Sequence, residues 1–258
     1  MSRSKVSAED ISDKVVFSAP VGVKTIHKTT YPTISVTRPE LSQAGKTILV
    51  TGGSAGIGQG IVRSYAEASA SRIIVTGPPP WHSRKSGPGA LISFSLDTVW
   101  ADYVTNVRSQ LDFVQRFRAQ KGFEDKKKYL VFITTAVIHT PGIDKVMPSY
   151  YLTKQASHSL VQTLADASDP KLLQINLVHP GLIYSEAAAK AGIAPDSLPF
   201  DDMKLPADYS VWAATEEATF LHGKLAWAAW DVDELRSEES KKVFESNPHH
   251  LSIRLIGV

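Results

Sequence analysis

Two groups of residues carry chemistry in this chain. In Tyr150-Tyr151-Leu152-Thr153-Lys154, Tyr150 and Lys154 stand four apart. On a helix that spacing puts both on one face. An ammonium beside a phenol stabilises the phenolate and lowers its pKa, so such a phenol gives or takes a proton near neutral pH. Tyr151 has no lysine at that spacing. Spacing alone fits an amphipathic helix with a partly buried tyrosine and a snorkelling lysine at least as well.

The second group lies about a hundred residues earlier, at Thr51-Gly52-Gly53-Ser54-Ala55-Gly56-Ile57-Gly58. Glycines let backbone approach an anion closely and adopt positive φ, and a helix that starts there offers unpaired N–H groups and a positive dipole end. A glycine turn by itself is also a bland tight turn. What makes it an anion site is a strand before it and a helix after it.

Both are readable. Lys46-Thr47-Ile48-Leu49-Val50 is a short apolar run that reads as a buried strand. From Gly58 onward Ile61, Val62, Tyr65 and Ala66 recur at helical spacing. Arg72 to Thr76 is a second strand, stopped by Gly77-Pro78-Pro79-Pro80, and the stretch to about Gly89 reads as a loop. Ser95-Leu96-Asp97 can cap a long helix whose stripe is Trp100, Tyr103, Val104, Val107, Leu111, Val114 and Phe117.

Tyr129 to Ile133 is a third strand. A helix through Tyr150 to about Ala167 follows, with Leu152, Ala156, Leu160, Val161 and Leu164 expected on its buried side. Leu172 to Val178 is a fourth strand, halted by His179-Pro180-Gly181, and Ile253 to Ile256 reads as a last one. Strands alternating with helices predict an α/β fold, a parallel sheet covered on both faces.

Composition excludes other classes. The chain has 258 residues, no cysteine and a net charge of +2. Disulfides, thiolate metal sites and cysteine nucleophiles are excluded, and no field points to nucleic acid or an anionic membrane. The eight histidines are scattered without acidic partners at ligand spacing, so no metal site is expected. The first 45 residues hold no apolar run long enough for a signal peptide or a membrane span. Residues 1–30 read as an N-terminal arm, partly disordered, and 31–258 as a single domain. A cytoplasmic location suits this composition.

The Thr-Gly-x-x-x-Gly-Ile-Gly turn followed by Tyr-x-x-x-Lys resembles the short-chain dehydrogenases/reductases. The runs Arg38 to Lys46 and Trp230 to Leu235 are similar to a fungal branch of that family. The resemblance implies a Rossmann-like, doubly wound parallel sheet and an oxidoreductase that passes hydride between a nicotinamide and a carbonyl or alcohol carbon. It implies catalytic roles for Tyr150, Lys154, Thr135 (where serine is usual) and Asn106, which would anchor a water against the lysine. It gives Thr51, Gly52, Ser54, Gly56, Ile57 and Gly58 to the cofactor, together with Asn106, Tyr150, Lys154, Pro180, Gly181 and Ser185. The segment Ser185 to Leu205 would be a substrate-side flap. Family members often pair through the long helix and the Tyr-Lys helix, so a homodimer or homotetramer is expected.

The second strand ends in Thr76-Gly77-Pro78 without an acidic residue for the ribose, and Arg84 and Lys85 follow. This leans toward NADP over NAD, although a solvated loop accounts for the two charges equally well. Between Thr76 and Ser95 lie 18 residues, too few for a βαβ unit. The family places two strands and two helices there, ending in Asn-Asn-Ala-Gly, a tetrapeptide absent from this sequence. The expected fold is therefore shortened by loss of central strands, unless Leu91-Ile92-Ser93-Phe94 supplies one. A catalytically impaired dinucleotide-binding or interaction protein derived from such an enzyme is the alternative reading.

Overall fold

A computed structural model of the chain describes residues 19–77, 89–140, 143–185, 189 and 192–253. The order begins with β1 (Thr47–Thr51), α1 (Gly56–Glu67) and β2 (Arg72–Thr76). A long helix follows, formed by α2 (Leu96–Tyr103), a π turn (Val104–Arg108) and α3 (Ser109–Arg118). Then come β3 (Lys128–Ile133), α4 (Pro148–Asp166), β4 (Leu173–His179), α5 (Lys204–Ala213), β5 (Leu225–Trp227) and α6 (Glu238–Ser246). Ser95 caps α2 as its sequence predicts, accepting from Thr98 N at 3.2 Å.

Every paired strand is parallel, as alternating strands and helices require. The strands nevertheless form two separate sheets. β1 pairs with β2 from Thr47↔Arg72 to Thr51↔Thr76, and β3-β4-β5 form the other sheet. In the second, Ile133 lies opposite Val178 and His179 opposite Trp227. Leu49, Ile74 and Val75 of the small sheet are 42–44% exposed, which a strand buried on both faces would not be. Leu91–Ser93 is a 3₁₀ turn with Ile92 in solvent, so that segment supplies no replacement strand.

The small sheet is attached through its helix. α1 lies on α5, where Ser64 Oγ donates to Asp208 Oδ1 at 2.6 Å and Tyr65 Oη to Ser210 O at 3.3 Å. Asp208 also accepts from Thr30 Oγ1 at 2.7 Å, so a fully buried carboxylate joins three segments. Val23, Tyr31, Ile34 and Val36 enter the same core, which also holds Trp212, Trp227 and Trp230.

Local predictions differ from the structure in three places. Residues Thr153, Ser157, Val161, Gln162 and Ala165 form the buried side of α4, while Leu152, Ala156, Leu160 and Leu164 are half-buried. On α1 the buried residues are Ile61, Ser64 and Tyr65, and Ala66 is exposed. Trp100 is 62% exposed, off the buried face of the long helix. Of the last predicted strand only Ile253 is described, and it is in no strand; residues 254–256 lie outside the described residues, as do Arg84 and Lys85.

Candidate active site

The glycine turn closes β1 onto α1. Gly52 and Gly56 have φ of +69° and +53°, with open space where a Cβ would stand. At Gly58 the reverse holds: a Cβ there would lie 2.2 Å from Gly52 O, so the turn is too tight for any other residue. Gly52 N donates to Thr76 O at 2.6 Å, fixing the turn to the end of β2. The N-cap of α1 is Ala55, which has no side-chain acceptor for the first-turn N–H groups. Thr51, Gly52, Ser54 and Gly56 are exposed, and Ile57 and Gly58 are half-buried. An uncapped helix start beside open, positive-φ backbone fits a pyrophosphate.

The second half of the site lies at the carboxyl ends of β3 and β4. Thr135 stands two residues past the end of β3 and caps the 3₁₀ turn Ala136–His139, accepting from Val137 N at 3.3 Å. Its side chain lies beside the phenol of Tyr150, which sits half-buried in the first turn of α4. Lys154 Nζ stands 5.9 Å from the centre of the Tyr150 ring. The sequence predicts a lowered tyrosine pKa, and here the direction is reversed. Burial raises the phenol above its ordinary value, and the neighbouring Thr135 hydroxyl opposes that only in part.

Asn106 lies inside the π turn, a wider helical turn common at functional positions. Its Nδ2 donates to Thr153 Oγ1 at 2.9 Å, between Tyr150 and Lys154 in sequence. One turn earlier, Asp102 accepts from Ser149 Oγ at 2.6 Å. Two polar rungs, one buried and one half-buried, therefore fasten the long helix to α4 on either side of Tyr150. Pro180 is buried after β4, Gly181 carries φ +91°, and Ser185 is exposed.

Three histidines that the sequence leaves scattered converge beside this group. Burial, with His139 nearby, pushes His179 down to about 3 and His158 to about 4. His179 Nδ1 accepts from Ala136 N at 3.3 Å and its ring meets Trp227 edge-on at 4.5 Å. No group of metal-ligating side chains occurs among the described residues. A cavity of about 360 Å³ opens at the end of β5, lined by His139, Trp227, Trp230, His250 and Leu251.

Parallel strands, a glycine turn at the start of a helix and polar side chains at the strands' carboxyl ends define an α/β protein of the Rossmann kind. Solved structures share that fold. The RhlG/NADP complex of Pseudomonas aeruginosa matches at TM-score 0.56 and 17% identity over 74% of this chain and 97% of that one. An Agrobacterium tumefaciens protein described as a 2-deoxy-D-gluconate 3-dehydrogenase with bound NADP matches at 0.59 and 17%, over 78% and 100%.

No family model matches the chain. Fungal relatives do. The short chain dehydrogenase/reductase AacuD of Aspergillus aculeatus is 29% identical over 82% of this chain and 89% of that protein. A short chain dehydrogenase/reductase of Claviceps purpurea is 28% identical over 84% and 89%. Over most of its length the chain is thus similar to short-chain dehydrogenases/reductases of fungi. The AacuD alignment runs over 265 positions, although only 82% of this 258-residue chain takes part. No helix among the described residues is long and apolar enough to cross a membrane.

Proposed function

We propose that the chain interconverts a small-molecule carbonyl and its alcohol with NADP(H), with NAD(H) the weaker cofactor. The observation that carries this is the placing of Thr135 beside the Tyr150 phenol at the end of β3, with Lys154 one turn further along α4. Thr51 to Gly58 would hold the pyrophosphate, Pro180, Gly181 and Ser185 the nicotinamide end, and Lys154 the ribose. Relatives of this fold solved with NADP or NADPH support the cofactor.

The nicotinamide, when bound, supplies or accepts the hydride. Tyr150 gives its phenolic proton to the substrate oxygen during reduction and takes it back during oxidation. Thr135 orients that oxygen with its hydroxyl. Lys154 stabilises the phenolate that remains. Burial holds the Tyr150 phenol in the protonated form that gives its proton to a carbonyl oxygen. Asn106 positions α4 through Thr153. The cavity between His139 and Trp230 offers aromatic surface for the body of a substrate. Ketone reduction followed by NADPH consumption, wild type against Tyr150→Phe, tests the reading.

We also infer that two strands of the family fold are missing between β2 and the long helix. The separation of the sheets, the exposed Leu49, Ile74 and Val75, and alignment positions that this chain does not fill support it. The same observations favour the second reading, an impaired dinucleotide-binding or interaction protein. Exposed Trp100 and Leu96 on the long helix support self-association of the chain, and its charge and composition suit the cytoplasm.

A further inference from the structure

A clasp closes behind the Pro180–Gly181 turn. The Asp201 side chain is fully buried. Its Oδ2 accepts from Leu182 N at 2.7 Å, while Asp201 N donates to Leu182 O at 2.8 Å. Both polar groups of Leu182 are thereby held by one residue nineteen positions further along. Ile183 and Asp201 form an isolated parallel bridge. At Gly181 a Cβ would stand 2.3 Å from Asp201 Oδ2, so this φ of +91° and this close approach both need glycine.

The charge of Asp201 is met from outside the paired sheets. Lys28 Nζ lies 2.8 Å from Oδ1 as an ion pair, without the alignment of a hydrogen bond. The same ammonium donates to Pro199 O at 3.1 Å, and Lys28 O accepts from Asp202 N at 2.7 Å. Lys28 thus grips the chain on both sides of Asp201. Its neighbours are fixed in turn: His27 Nε2 lies 2.8 Å from Asp231 Oδ2, and Thr30 Oγ1 donates to Asp208. Removing Lys28 takes the ion-pair partner from a buried carboxylate and so loosens the turn that Asp201 holds.

We propose that Lys28 and Asp201 are positioning residues. The segment ahead of β1 sets the Pro180–Gly181–Leu182 turn that receives the nicotinamide end of the dinucleotide. The proposal rests on the dinucleotide reading above. Its consequence is local. The turn would hold the nicotinamide half of the cofactor, whereas the glycine turn on the other sheet would hold its pyrophosphate and adenosine half.

The test compares NADPH with 2′,5′-ADP, which lacks the nicotinamide half, on the folded full-length chain. Lys28→Met and Asp201→Asn should each raise the NADPH dissociation constant at least tenfold, on the order of 1.4 kcal/mol. The 2′,5′-ADP constant should stay within twofold, and Lys28→Arg should restore NADPH binding. The double variant Lys28→Met/Asp201→Asn, which leaves no buried unpaired charge, keeps the test valid if a single variant folds poorly. Equal NADPH affinity in wild type and a folded variant overturns the clasp and leaves the dinucleotide reading standing. A parallel loss of both ligands assigns the pair to general stability and also overturns it. A folded wild type that binds neither ligand overturns both readings.

Discussion

Asn106 Nδ2 donates to Thr153 Oγ1 at 2.9 Å, so the π turn of the long helix is fastened to the tyrosine-bearing helix between Tyr150 and Lys154. Thr153 Oγ1 in turn donates to Tyr150 O at 3.2 Å. The rung sets the rotation of α4, and through it where both chemical groups point. Removing either partner by Asn106→Ala or Thr153→Val should cost about 0.5–1.5 kcal/mol of stability. The two losses should be non-additive in urea melts of the double variant. Simple additivity would show that the bond carries no coupling.

Tyr150→Phe removes the transferable proton and leaves the ring in place. Carbonyl reduction should fall by at least a thousandfold, about 4 kcal/mol of transition-state stabilisation. NADPH affinity should stay within twofold. Turnover unchanged by this substitution would remove Tyr150 from the chemistry.

The pH dependence follows from the buried histidines. His179 and His158 are held near 3 and 4 in the folded chain by burial and by His139, against about 6.5 unfolded. The unfolded state therefore binds more protons below pH 6.5, and stability rises with pH there. Stability should be full above about pH 6.5 and decline as the pH falls toward 3. The loss at pH 5 should be on the order of 1–2 kcal/mol per histidine. Urea midpoints measured at pH 7.5, 6 and 5 check this, and His158→Gln should flatten the slope. A midpoint independent of pH would contradict the burial of these rings.

Gly58→Ala places a methyl 2.2 Å from Gly52 O. The turn must open, costing about 1–3 kcal/mol and spoiling the anion cradle. The melting temperature should drop and its response to NADPH vanish. A variant that melts and binds like wild type would show that the turn is not the cofactor's.

Much of this was legible in the residues. β1, the glycine turn, α1 and β2 announced themselves because an apolar run, glycines and a 3.6-residue period follow in order. The tyrosine and lysine of α4 could be placed on one face from spacing alone. α5 could not be read: Leu205 to Ala213 is buried on every side, so it carries no stripe, and Pro206, Asp208 and Ser210 resemble a loop. The buried face of α4 was misjudged because its partners are polar: Thr153 meets Asn106 and Ser149 meets Asp102. β5 has only three residues, too few for a period. Lys28 and Asp201 are joined across the fold with no local pattern linking them. Gly181 was visible as a turn glycine, but the carboxylate that demands it was not.

The central claim is that a nicotinamide dinucleotide site survives on two sheets that share no hydrogen-bonded strand. Thermal unfolding with and without NADPH, repeated with NADH, tests it most directly. A ligand at a hundred times its dissociation constant stabilises the native state by about 2.7 kcal/mol, roughly 5–10 °C for a domain of this size. The account predicts a cooperative melt that rises with both cofactors, and further with NADPH. A cooperative melt that neither cofactor moves would contradict it and leave a folded relative that has lost the cofactor.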